Sequence, residues 1–411
     1  MPSSEIDWPQ QGRINPALIL YPLAHLAVEL YASMVSILWP LFMTRFGLTY
    51  GAIGLLTMIF RGSMTLPQLG FAAVGDRHGP RLLGIAGLVV MAVGMSLVGL
   101  APSVAILAVV LALAPLGSAA FHPAGTAHMS RALARRRGTA VALFMMGGNV
   151  GSSLGPLLAA WLCTHWGLGA SIWFLPLGLA VAVLMALFIP ADSKPAVQRG
   201  QAGAPKGPIP WPIFLLMVAC VAQSWLDSSL VSYLPLLYSG RGLALSTASR
   251  ALFVYAAMGA AGVLVGGTLS DRVPRWRVVV AAEALSVPLF AGAVLLGGAW
   301  ALAAPAALGL VSALTYPVTV AIGQEMMPDR TSLASALTMG VSWVIGSVGV
   351  TGTGILADRI GMQAALLFVS GVPLAGMACM LVLQVVMRRR AAARAWPATA
   401  PHGAGSGSHR S

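Results

Sequence analysis

The stretch AAVGDRHGPR, residues 72–81, is an island of charge between two long apolar runs, and it has a second copy. That copy is GGTLSDRVPR, residues 266–275, which sets Asp76–Arg77 and Asp271–Arg272 at an offset of 195 positions. Three further pairs keep nearly the same register. They are WPLFMTRFGL (39–48) with LPLLYSGRGL (234–243), FHP (121–123) with TYP (315–317), and RGTAVALFMMG (137–147) with RTSLASALTMG (330–340). Four matches at a near-constant offset mark a duplicated chain, and self-similarity of this kind governs the architecture.

The runs on either side of each island say what is duplicated. Of 411 residues, 58% are hydrophobic and 9% charged, against about 25% charged in a soluble domain; the mean hydropathy is +0.84. Apolar stretches of the roughly 20 residues a membrane helix needs recur along the chain. The ~10-residue alternating segments of a transmembrane barrel are absent. The reading is an all-α integral membrane protein with twelve spans, at about 17–43, 50–74, 81–101, 104–128, 138–163, 171–190, 212–238, 246–270, 277–298, 300–323, 331–356 and 362–387. The Pro- and Gly-rich segment 191–212 divides an N-terminal six-helix repeat (1–190) from a C-terminal one (213–387), and 388–411 reads as a basic disordered tail.

An even number of spans places both termini on one side, and nineteen Lys and Arg residues fall on that side against four on the other. By the positive-inside bias the termini are expected in the cytoplasm. The net charge of +13 is then loop charge facing lipid headgroups, not a nucleic-acid surface. Cys163, Cys220 and Cys379 all lie inside apolar runs and none forms a CxxC, which supports neither a disulfide framework nor a metal site. The polar start MPSSEIDWPQQGRINP lacks the basic opening of a cleaved signal.

Both charged islands are similar to the loop signature G-x-L-A-D-R-x-G-R of the major facilitator superfamily, with Ala72 and Pro274 standing where that pattern prefers Gly. The resemblance implies a twelve-helix transporter of two parallel six-helix repeats that rocks about a midplane substrate site. It makes Asp76, Arg77, Arg81, Asp271 and Arg272 gating latches, joined by Glu325, Asp329 and Arg330. In span 5, AVALFMMGGNVGSSLGPLLAA resembles the superfamily's antiporter signature, which is associated with efflux. Small residues there (Gly147, Gly148, Gly151, Gly155, with Pro156) allow close helix packing, and a tight seam without transport meaning would look the same. HLAVE (25–29), LPQLG (66–70), FHPAGTAH (121–128), GQEMMPDR (323–330) and GILADR (354–359) narrow the resemblance to the fosmidomycin-resistance branch over nearly the whole chain. The chain departs from that branch at Glu29, where Asp is usual, at Ala124 and Ala127, and at Arg61, where the branch has a neutral polar residue.

Charge inside a bilayer costs about 2.5–3.5 kcal/mol on insertion scales, so such residues face a cavity or a partner. Helical spacing gathers His25, Glu29, Ser33 and Ser36 on one stripe of span 1, and Thr57, Arg61, Thr65 and Gln68 on one stripe of span 2. Span 4 offers Ser118, His122 and Thr126, span 7 Gln223 and Asp227, and span 10 Ser312, Tyr316 and Thr319. Glu29 and Arg61 share a depth, which predicts a pair between adjacent spans. The pair is either a static lock on helix register or a link remade during transport. Asp227 is a second candidate proton carrier or a hydrogen-bonded structural acid, His25 and His122 are candidate relays, and Arg61, Gln68, Gln223 and Tyr316 are candidate substrate contacts. Glu283 reads as structural.

No nucleotide loop, metal-ligand cluster or Ser/His/Asp arrangement appears in the sequence, so no enzyme and no cofactor is expected, only a proton gradient as energy source. The leading expectation is a monomeric antiporter exporting a small anionic or zwitterionic drug or metabolite by alternating access. Its partners are the substrate, protons and membrane lipids. Uptake of an anionic metabolite with protons is the alternative, and a non-transporting receptor the remote one.

Overall fold

In the computed structural model, residues 15–132, 137–190 and 209–395 are described. Among them the chain is helical with no strand: α1 (Ala17–Phe46), α2 (Tyr50–Thr65), α3 (Gln68–His78), α4 (Pro80–Leu97), α5 (Val104–Ala132), α6 (Arg137–Trp166), α7 (Leu175–Phe188), α8 (Ile213–Gly240), α9 (Leu245–Ser270), α10 (Arg275–Leu295), α11 (Trp300–Ala313), α12 (Thr315–Met326), α13 (Thr331–Ser335), α14 (Ser342–Ile360), α15 (Met362–Ser370) and α16 (Pro373–Ala395). Eleven of the expected spans are continuous enough in length and hydropathy to cross a membrane. The remaining one, span 2, is present as α2 and α3, each shorter than a full crossing.

The cause of that break is Pro67. It has no N–H to continue the ladder and its ring crowds the carbonyl four residues back, so α2 ends at Thr65 and α3 restarts at Gln68. The Gln68 amide donates to the Met64 carbonyl at 3.0 Å across the join. Span 10 is divided between α11 and α12, three residues before Pro317. In span 11 a π-helical turn, Ala336–Val341, connects α13 to α14. The last helix runs to Ala395, past the expected end at 387. Its MRRRAAARA segment combines strong helix formers with the basic residues a helix C-terminus favours. The linker residues 191–208 and the tail from 396 lie outside the described residues.

The small residues of span 5 set the packing of the N-terminal half. A Cβ on Gly147 would come within 2.1 Å of the Pro22 carbonyl, and one on Gly151 within 2.1 Å of the Leu26 carbonyl. On Gly155 it would meet Ser33 Oγ at 2.1 Å. These positions recur every four residues and so form one face, along which α6 lies backbone-to-backbone on α1. The wall of α1 that faces this seam and α5 is buried, from Tyr21 to Phe42.

The two halves clasp at the face opposite the termini. The first turn of α2 meets the last turns of α14, where both Asp358 oxygens accept hydrogen bonds, from Tyr50 N at 2.8 Å and Gly51 N at 2.9 Å. Tyr233 of α8 donates to the Tyr50 and Val350 carbonyls at 3.1 and 2.9 Å. Gly54 and Gly354 leave no room for a side chain in this contact. At the end that carries the termini, α3 packs on α4 and α5, and α13 on α12, each within its own half. The closed face is thus the one away from the termini.

Candidate functional site

Two acid clusters lie in the interior, one in each half. In the first, Glu29 stands one turn beyond His25 on α1, and α5 brings His122 across to both. Glu29 Oε1 is 3.1 Å from His122 Nε2 and 3.9 Å from His25 Nε2. The two Nε2 atoms are 3.3 Å apart, and Ser152 of α6 donates to Glu29 Oε2 at 3.1 Å. The far side of each ring faces a carbonyl, Phe144 O at 2.8 Å for His25 Nδ1 and Ser118 O at 2.8 Å for His122 Nδ1. Stacking on Phe144 at 4.0 Å holds the His25 ring in this pose. Gly148 presses against the same ring, where a Cβ would come within 2.5 Å.

The hydrogens are assigned from the partners of each ring nitrogen. A carbonyl only accepts, so both Nδ1 atoms carry the ring hydrogen, and each neutral imidazole turns a lone pair inward at Nε2. An ionised Glu29 adds acceptors only. Three acceptors therefore converge with one hydrogen missing, and a single proton on either Nε2 completes the set as an imidazolium beside a carboxylate. The same three atoms lie within 4.8 Å of one another, so His25, Glu29 and His122 are also the residues that could hold a metal ion. Sequence reading did not assemble that trio, because its third member comes from another span.

In the second cluster Asp227 of α8 accepts from Tyr255 of α9 at 2.7 Å and from Tyr316 of α12 at 2.6 Å. The Gln223 amide, one turn earlier, donates to both carboxylate oxygens at 3.2 Å. Here every close contact is a hydrogen donor, which suits an ionised carboxylate. Gln223 Oε1 has no hydrogen-bond partner among the described residues, and Gln223 lines a small cavity together with Glu283, a 1% exposed residue. The internal repeat relates the clusters, since FHP and TYP put His122 and Tyr316 at equivalent places. Each half sets an acid from its first span against a residue of its fourth. In one half that residue is a histidine, which ordinarily titrates near neutral pH, and in the other a tyrosine, which does not.

Arg61, on α2, lies between the clusters. The carboxylates of Asp227 and Glu29 and the phenols of Tyr316 and Tyr255 are its polar neighbours. None of its N–H donors has a hydrogen-bond or ion-pair partner among the described residues. The expected Glu29–Arg61 pair is therefore not formed. Glu29 is held by His122 and Ser152 instead, because α5 and α6 pack on α1 while α2 packs on α14 and α5.

The remaining candidates are placed as follows. Gln68 is engaged with its own backbone at the span 2 break. Arg81 donates to the Ala186 and Ile189 carbonyls at 2.6 and 2.7 Å, at the C-terminal end of α7 in its own half. Arg77, Asp271 and Arg272 are exposed, and the Asp76 side chain lies outside the described residues. Glu325 pairs with Arg275 of α10. Sequence reading missed Tyr255, Ser152 and Asp358. For Tyr255 a signal existed, because the offset of 195 sets it opposite Phe60, next to Arg61.

The profile of the Major Facilitator Superfamily matches residues 23–350. The chain belongs to that superfamily. It is 29% identical over 371 residues to the fosmidomycin resistance protein of Escherichia coli (strain K12), covering 86% of this chain and 89% of that one. It is 26% identical over 387 residues to the uncharacterized MFS-type transporter YfnC of Bacillus subtilis (strain 168), with 90% and 93% covered. Among solved structures, a bacterial homolog of the human lysosomal transporter Spinster, inward-facing and unoccupied, superposes with a TM-score of 0.74 at 18% identity, covering 91% and 97%. The nucleoside transporter NupG superposes with a TM-score of 0.73 at 13% identity, covering 90% and 100%. Superfamily membership makes the chain a multi-pass membrane transporter and not an enzyme, with the twelve-helix, two-repeat fold its sequence implies.

Proposed function

We propose that this transporter couples proton movement to the export of a small anionic or zwitterionic compound by alternating access, with its termini in the cytoplasm of a cell whose inner membrane it occupies. The observation that carries the reading is the convergence of Glu29 Oε1 with the Nε2 atoms of His122 and His25. With Ser152 already donating to the other Glu29 oxygen, the three facing atoms make a site for one proton. Arg61 supports an anionic substrate group. A guanidinium with no internal partner, between two acids, is ready for a carboxylate, phosphate or phosphonate, for which its planar fork is suited.

Alternating access links the two. A substrate anion on Arg61 screens that cation from the acids, and arrival of a proton at His122 changes the charge facing the cavity from negative to neutral. Each half-cycle then exchanges one charged species for the other without exposing an unpaired charge to lipid. Export is favoured over uptake by the likeness to a resistance protein and by the glycine seam between α1 and α6. The test uses purified protein in liposomes with an imposed pH difference and a panel of radiolabelled organic anions and phosphonates. Substrate should accumulate in the acidic compartment of inside-out vesicles, and Glu29→Gln should remove the dependence on the gradient. Accumulation only with protons moving in the same direction makes the protein a symporter, and a gradient-independent flux ends the proton reading.

A further inference from the structure

Away from the two acid clusters, a cavity of about 430 Å³ opens at the end of the C-terminal half that carries the termini, between α10, α12 and α16 and beside the loop after α9. Its floor is apolar, with Ile322, Met326, Met380 and Leu383 among its lining, and its mouth holds Arg275, Trp276 and Gln384. Arg275 pairs through Nη1 with Glu325, yet its Nε is buried and makes no hydrogen bond. The guanidinium of Arg277 lies 5.4 Å from the Trp276 ring, and that of Arg388 5.9 Å from the same ring. Both arginines are exposed. Two guanidiniums thus flank the tryptophan, and a third, that of Arg275, lines the same apolar slot, against the single carboxylate of Glu325 in that lining.

We propose that this cavity is a binding site for an anionic phospholipid of the phosphatidylglycerol class. The phosphodiester sits on the exposed part of the Arg275 guanidinium and on Arg277 and Arg388, and an acyl chain lies along Met380 and Leu383. Basic pockets between helices at a membrane surface recognise acidic headgroups in this way, and tryptophan at that level sits with its ring between headgroup and hydrocarbon. The volume falls in the range of ligand sites, and the membrane supplies the occupant at high local concentration. A soluble anion would leave the apolar floor uncovered, which is why the slot fits a lipid and not free phosphate. The site includes none of the residues of the proton or substrate clusters.

The experiment is native mass spectrometry of the whole protein released from nanodiscs of phosphatidylcholine and phosphatidylglycerol. Wild type should retain one phosphatidylglycerol and discriminate against phosphatidylcholine. Arg275→Gln should lower retention roughly five-fold, the effect of one basic side chain near an anionic surface. Met380→Trp, which fills the slot and leaves every charge in place, should abolish retention; unchanged melting in detergent excludes misfolding for either variant. Glycerol 1-phosphate in excess should leave the adduct in place. Equal retention in wild type and both variants, equal retention of phosphatidylcholine, or full displacement by glycerol 1-phosphate would each overturn the assignment. Because transport is not measured, the outcome is independent of the proton-coupled reading.

Discussion

Replacing His122 by Ala tests the proton cluster through stability. Its Nε2 lies 3.1 Å from Glu29 Oε1, which is the shortest contact the carboxylate makes with a basic group. Removing one partner of a buried ion pair costs about 3–5 kcal/mol, because the other charge is stranded. Two features reduce that figure here. The Glu29 side chain is 19% exposed, and His25, 3.9 Å away, can accept the proton in place of His122. The expected loss is therefore about 2–4 kcal/mol. In a Glu29→Gln background the same substitution should cost about 1 kcal/mol, the value of a neutral hydrogen bond, since no charge remains to strand. The difference is a coupling of about 1–3 kcal/mol, read from a double-mutant cycle. Unfolding in mixed micelles supplies the four free energies, and a pH-indicator dye counts protons released per molecule on a pH jump, one more for wild type than for Glu29→Gln. If His122→Ala costs the same in both backgrounds, the two residues do not share a proton and the reasoning fails.

Arg61→Gln should abolish transport of anions while leaving yield and melting intact, because no internal hydrogen bond is lost; wild-type flux would refute the substrate role. Arg61→Lys keeps the charge without the fork, and binding should weaken but persist, as measured by substrate protection against heat. Asp358→Asn replaces a charged acceptor at the start of α2 and should weaken the clasp by about 1–2 kcal/mol. Spin labels on α2 and α14 at that face should then report a larger open population, and an unchanged distance distribution would count against the clasp. Gly151→Ala forces a methyl toward the Leu26 carbonyl and should destabilise by about 1–3 kcal/mol, seen as a lower melting temperature with or without substrate. Tyr316→Phe removes a 2.6 Å donor from Asp227 and should cost about 1.5–3 kcal/mol, without altering the pH profile of transport if the proton belongs to the other half.

The membrane class, the twelve spans and the duplication were legible because hydropathy and repeated motifs are properties of consecutive residues. His25, Glu29, His122, Asp227, Gln223 and Tyr316 were legible as polar stripes for the same reason. What could not be read was the pairing among them. Depth along a helix suggests that Glu29 meets Arg61, yet contact depends on which helices are neighbours, and α2 turns toward α14. Asp358 stayed hidden because its partners are backbone N–H groups of α2, which have no sequence signature. The extension of α16 to Ala395 is invisible to hydropathy, which falls at the basic residues although they favour helix as strongly as the residues before them. Tyr255 is legible through the repeat, since 195 positions earlier stands Phe60, beside Arg61.

The break at Leu66–Pro67 has a mechanical consequence. It divides one span into two arms: α2 carries Arg61 and is pinned to α14 of the other half, while α3 carries the Asp76–Arg77 island and packs on α4 and α5 of its own half. The two arms share a joint with one backbone hydrogen bond fewer. Motion of the island can be absorbed at that joint without dragging the guanidinium along. Loops exchanged into this protein at residues 72–81 would then alter how fast it cycles and leave untouched what it chooses to carry.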